Sequence, residues 1–192
     1  MALTPSTMIP LGTIAPSFAL PDAATHKIYS LDELKSETAT VILFICNHCP
    51  FVKHIQEKMV EIANQYQTHG IAFIAINSND TVLYPEDSLI NMQLEAKKMR
   101  YPFLYLFDET QVVARAYQAA CTPDIYVFDK NLKCVYRGRF DNSTPTNNLP
   151  VTGADLSRAL DCILAGNPIS EDQKNSIGCN IKWKQNMSKV AG

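Results

Sequence analysis

The stretch "VILFICNHCPFV", residues 41–52, contains a change of period that decides the fold. Residues 40–45 form a continuous apolar run of strand length, the pattern of a strand buried on both faces. From Cys49 onward Phe51, Ile55, Met59, Ile62 and Tyr66 recur every three or four residues, with Lys53, Glu57, Lys58 and Glu61 between them. That spacing predicts an amphipathic helix closing near His69 and Gly70. Cys46 and Cys49 therefore lie where a buried strand gives way to a helix.

The position matters chemically. A helix N-terminus leaves backbone N–H groups without intrahelical partners and carries a partial positive charge, so a thiolate is favoured there. Cysteines in such places have pKa values of about 3.5–7.5, against about 8.5 for a free thiol. Two intervening residues allow the sulfurs to meet. Cys46 is expected to be exposed and nucleophilic, and Cys49, one turn in, buried and resolving. His48 is placed to add positive charge near the Cys46 thiolate, and stabilising the reduced form makes the disulfide more oxidising. Pro50 lacks an N–H, so an irregular helix entry is expected. Competing readings are a metal site and plain packing. Structural zinc wants four ligands, and this chain has no second C-x-x-C; His48, His54 and Cys121 could only improvise one.

Outward from the motif, "SFAL" (17–20) and "KIYSL" (27–31) predict a hairpin, after an irregular lead-in over residues 1–16. Strands are expected at 71–77 and 103–107, with a helix over 86–99 between them. Asp108 and Gln111 suggest a capping box opening a helix to about Tyr117. "DIYVFD" (124–129) and "LKCVYRGRF" (132–140) flank the turn residues Lys130 and Asn131, and Thr152 and Asp155 appear as caps of a last helix stopped by Gly166 and Pro168. Alternating strands and helices imply a partly parallel central sheet with helices on both faces. A polar tail, 167–192, contains one apolar knot, "IGCNIKW".

Bulk properties narrow the function. The 192 residues suit one domain with a tail, and 46% hydrophobic residues suffice for a core. A net charge of −2 without a basic run leaves no footprint for nucleic acid, and no apolar run is long enough to span a membrane. The first twelve residues lack the pattern of a signal peptide, so six cysteines here suggest a reduced, cytoplasmic setting and redox or metal chemistry.

The order of elements, the C-x-x-C and a late "CTPD" (121–124) together resemble the thioredoxin fold in its peroxiredoxin-like, AhpC/TSA-related redoxin branch. The likeness covers residues 12–166 as one domain, with 167–192 as an extension packing on or near it. "YLFDETQVVARAYQ", Cys-Thr-Pro-Asp and "SIGCNIKW" are similar to an uncharacterised subgroup of redoxin-domain proteins. The resemblance implies a three-layer α/β/α fold with a mixed sheet, in which Cys46 and Cys49 are the redox pair and Thr122-Pro123 is a cis-proline step that binds the substrate's backbone. It also implies a thiol–disulfide oxidoreductase without an organic cofactor, acting on a protein or small-molecule disulfide. The electron donor would be a thiol reductant or reductase, and no nucleic acid or membrane partner is implied.

Two alternatives stand beside it: a thiol peroxidase with Cys49 peroxidatic, supported by the Cys49-Pro50 step, and a metal-binding carrier using the same cysteines. Departures from the family patterns are specific. Ile45 stands where thioredoxin has Trp, residues 38–45 offer no buried carboxylate, and Cys46 and Ile42 replace the peroxiredoxin Thr and Pro. No arginine precedes the "DIYVFD" strand. Cys121, two residues before Pro123, is a candidate accessory redox thiol or a packed one. Cys179 reads as part of a structural tail, with reach-back as a resolving thiol the alternative. Cys134 and Cys162 are expected to be inert.

Overall fold

The computed structural model describes residues 3–185. The chain opens with β1 (Leu3–Pro5), the hairpin β2 (Ala19–Pro21) and β3 (Ile28–Ser30), and a short helix α1 (Leu31–Leu34). Then come β4 (Ala39–Phe44), α2 (Pro50–Gln67) and β5 (Ile71–Asn77). A 3-10 turn at Pro85–Asp87 leads into α3 (Leu89–Met99), β6 (Leu104–Phe107), α4 (Val112–Ala116) and the two-residue β7 (Cys121–Thr122). The remainder is β8 (Asp124–Asp129), β9 (Cys134–Arg137), α5 (Ala154–Leu164) and β10 (Ile177–Asn180).

The central sheet has the order β6-β5-β4-β8-β9. β4, β5 and β6 are parallel, while β8 is antiparallel to both β4 and β9. β4 lies in the middle and every one of its residues is buried. Its alternation feeds two cores. Val41 and Leu43 join Ile55, Met59, Leu156 and Leu160 of α2 and α5 on one face. Ile42 and Phe44 join Ile74, Ile76, Tyr117 and Tyr126 on the other. That two-sided burial is why the strand reads as an unbroken apolar run.

Several local expectations are corrected. The last helix is capped by Gly153, in the left-handed region at φ 65, not by Thr152 or Asp155. A Cβ there would come within 2.1 Å of Ile62 Cδ1 and 2.9 Å of Phe140 Cζ, so only glycine fits. Asp108 does not form a capping box: Gln111 is the cap residue of α4, and the buried Asp108 carboxylate instead accepts the Ala114 N–H and the Ser78 hydroxyl.

The lead-in is not irregular throughout. β1 pairs with β10, and β10 pairs with β7, in a second sheet of order β1-β10-β7. Residues 176–184 of the tail are thus knitted into the domain, and its last seven, 186–192, lie outside the described residues. Ile181 N–H bonds Ala120 O, Gln111 Nε2 bonds Lys182 O, and the Arg115 guanidinium lies 4.3 Å from the centroid of the Trp183 ring. Next to β7, a fully buried ion pair joins Arg137 to Asp124 at 3.2 Å, with the Arg137 guanidinium also over the Tyr126 ring.

Candidate active site

Proline decides where α2 begins. Pro50 occupies the first helical position, where its missing N–H is no loss, so the helix starts regularly there and Cys49 is its N-cap. The expected irregular entry is absent, and Cys46 lies a full C-x-x-C spacing outside the helix. The positive helix end therefore acts on Cys49.

The expectation of an exposed Cys46 is overturned: it is 2% exposed, and Cys49 is 0% exposed. The Cys49 thiol is pulled down to about 5, first by the hydrogen bond from Cys46, then by those from Cys179 and Thr122, against the effect of burial. Cys46 is pushed well above the ordinary thiol value by the same interaction with Cys49, by burial and by the nearby Asp87 charge. The thiolate of the pair is Cys49.

Thr122 and Pro123 are joined by a cis peptide bond. Thr122 touches both sulfurs: its hydroxyl is 3.4 Å from Cys46 Sγ and its carbonyl 3.1 Å from Cys49 Sγ. In the neutral form Cys49 donates to that carbonyl; in the ionised form it accepts from its neighbouring thiols. Beside Pro123 runs a cleft of about 170 Å³, whose wall includes Phe51, Ile55, Phe140, Ser143 and Ile177.

His48 is held by a residue that the sequence did not bring forward. Its Nδ1 lies 2.7 Å from Asp87 Oδ2, and its ring stacks on Tyr84. Asp87 is 0% exposed and also accepts Asn47 N–H and Asn79 Nδ2, each at 2.7 Å. The pairing with Asp87 raises the His48 pKa. Residues 38–45 carry no carboxylate; the buried one at this site, Asp87, arrives from the 3-10 turn and faces His48. The only signal was "PED" ahead of an apolar helix, which is indistinguishable from an ordinary acidic first turn.

Cys46, His48 and Asp87 present ligand atoms within 4.8 Å of one another. Both Asp87 oxygens accept from protein donors, and Cys46 bonds Thr122 instead of either partner. Arg137 is turned to Asp124 and Arg139 to Asp155.

The accessory thiols separate clearly. Cys121 is buried, and its thiol points to Pro123 O at 3.5 Å, away from the pair, with a pKa raised by burial. Cys179 lies in direct contact with Cys49, Sγ to Sγ 2.9 Å. Sequence spacing favoured Cys121, because Cys121 and Thr122 are adjacent. But side chains alternate along a strand, so only Thr122 faces the pair. Cys134 is buried with its thiol toward Tyr136 O, and Cys162 lies half-buried on α5.

This arrangement is that of a thioredoxin-fold redox protein. The chain matches the AhpC/TSA family over residues 11–137 and belongs to that family. No curated protein matches it. It is similar to an uncharacterized conserved protein from Geobacillus kaustophilus, at 56% identity and TM-score 0.95, covering 97% of this chain and 98% of that one. A hypothetical protein from Sinorhizobium meliloti is 45% identical with TM-score 0.93, covering 95% and 100% of the two chains. The thioredoxin domain of a thiol-disulfide oxidoreductase from Bacteroides vulgatus shares the fold at 13% identity and TM-score 0.61, covering 80% and 99%.

Proposed function

We propose that the chain is a thiol–disulfide oxidoreductase whose Cys46 and Cys49 cycle between dithiol and disulfide, with Cys49 as the charge-bearing sulfur. The observation that carries this is the convergence of both sulfurs on Thr122, at the cis Thr122-Pro123 bond. An incoming substrate thiolate bonds to Cys46 Sγ, the Cys46–Cys49 bond breaks, and Cys49 leaves as a thiolate. A second substrate thiol then attacks the sulfur attached to Cys46. The substrate departs as a disulfide, and Cys46 takes the released proton. The reverse sequence reduces a disulfide. Cys49 is the better leaving group because a low-pKa thiol leaves faster, and its stabilised thiolate biases the couple toward oxidising its substrate. The cleft beside Pro123 offers the substrate chain an apolar seat.

The test compares oxidation of a reduced dithiol peptide by wild type and by single serine variants after the same diamide treatment. Both Cys46→Ser and Cys49→Ser should lose turnover. Retention of full activity by Cys49→Ser is the result that overturns the reading. The location of the thiolate favours one second reading, a thiol peroxidase with Cys49 peroxidatic. Rapid peroxide-dependent sulfenic acid at Cys49 would select it over the first.

A further inference from the structure

We propose that Cys179 is a third redox thiol, which takes over the bond to Cys49 from Cys46 and so moves the disulfide from Cys46–Cys49 to Cys49–Cys179. This rests on the dithiol reading above and adds an acceptor to it. The contact of 2.9 Å between Cys49 and Cys179 joins two residues separated by 130 positions, and the fold builds it deliberately.

β10 runs antiparallel to β7 in a register that sets Cys179 opposite Thr122, the residue both active-site sulfurs touch. Gly178 makes the approach possible, since a Cβ at that position would lie 2.0 Å from Thr122 O. Cys179 is 3% exposed and its sulfur lies against Cys49, so the thiol is reached chiefly through Cys49. The strand is pinned on its far side by the Asp80 N–H to Lys182 O and Lys182 N–H to Asn79 Oδ1 bonds. Cys121, nearer in sequence to the cis bond, has no such contact with Cys49; its thiol faces Pro123 O.

The step is a thiol–disulfide exchange and needs no external oxidant. Starting from the Cys46–Cys49 disulfide, Cys179 loses its proton and its sulfur attacks Cys49 Sγ. The Cys49–Cys179 bond forms, the Cys46–Cys49 bond breaks, and Cys46 leaves with the electron pair and takes up the proton. Burial holds the proton on Cys179 first, and the Cys49 thiolate second. The second cause vanishes once Cys49 is in a disulfide, which is the state in which Cys179 must act. The outcome frees Cys46 for another substrate while the oxidising equivalent is held inside the protein.

Wild type and the Cys46→Ser, Cys49→Ser and Cys179→Ser variants of the full chain are oxidised with diamide, blocked with N-ethylmaleimide in acid, and digested without reductant for mass mapping. Wild type should yield both Cys46–Cys49 and Cys49–Cys179 peptides. Cys46→Ser should yield Cys49–Cys179 alone, with Cys179 alkylation lost; Cys179→Ser should yield Cys46–Cys49 alone; Cys49→Ser should yield neither. Cys179 still fully alkylated in Cys46→Ser, together with no Cys49–Cys179 peptide in wild type, overturns the relay whatever the fold of the variant. Absence of Cys46–Cys49 from Cys179→Ser would instead strike the dithiol reading, and the two failures are therefore distinguishable.

Discussion

A thiolate on Cys49 fixes how the potential of the Cys46–Cys49 couple responds to pH. With its pKa at about 5, Cys49 is ionised at neutral pH by roughly two decades. That favours the dithiol over the disulfide by about 3 kcal/mol relative to an unperturbed pair. For a two-electron couple this is a shift of about 60 mV toward a more oxidising disulfide. The sharper signature is the slope. Each proton taken up with the electron pair contributes about 30 mV per pH unit. Below about 5 the reduced pair takes up two protons; above it Cys49 takes none, and Cys46, pushed well above 9.0, still takes one. The potential should therefore fall by about 30 mV per pH unit through the neutral range and by about 60 mV per unit in acid, with the break near 5. Equilibration in glutathione buffers at a series of pH values, quenched and mapped for the Cys46–Cys49 peptide, measures this directly. A uniform slope of about 60 mV per unit across neutrality would refute the placement of the charge.

The same ionisation makes the reduced protein acid-sensitive: the stability it contributes is complete above 9.0 and is lost as pH falls through about 5, so reduced but not disulfide-bonded protein should lose melting temperature over that window. Asp87→Asn should move the His48 titration, followed by NMR, to lower pH, because Asp87 is the main cause of its raised pKa; an unmoved inflection would show that the pair is not formed. Gly178→Ala should force β10 off the Thr122 carbonyl, at a cost of about 1–3 kcal/mol in denaturant unfolding, and a neutral result would show that the strand has room to spare. Asp124→Asn leaves the Arg137 charge buried without its partner, and should cost about 3–5 kcal/mol in the same assay.

Much of the fold was legible because its signals are local. Ile55, Met59, Ile62 and Tyr66 mark a helix face whatever surrounds them, and residues 40–45 can hardly be anything but a two-sided strand. The position of Cys46 and Cys49 between strand and helix followed from that frame, and the cis Thr122-Pro123 bond from the family resemblance. The charge on the pair did not, because it rests first on the hydrogen bond from Cys46 and then on those from Cys179 and Thr122, contacts that exist only in the folded chain. Asp87 and Cys179 were hidden for a different reason. Each reaches the site from a distant segment, through a 3-10 turn in one case and a two-residue strand pairing in the other, and no periodicity announces either. The register that swaps Cys121 for Cys179 is a property of the sheet of β1, β10 and β7, which exists only once the ends of the chain have met.

The span of 130 residues between Cys49 and Cys179 also gives the site an order of assembly. Contacts that close so long a loop form late, because the entropy of closure must be overcome before any local interaction rewards it. On the proposed relay the Cys46–Cys49 bond, between residues three apart, can form before Cys179 is in place to exchange with it. A terminal strand is also among the first elements to open in a folded protein. Fraying of β10 would disconnect Cys179 while leaving the central sheet intact. On the proposed relay the site has two wirings, one with two sulfurs and one with three, and the docking of the four-residue β10 selects between them.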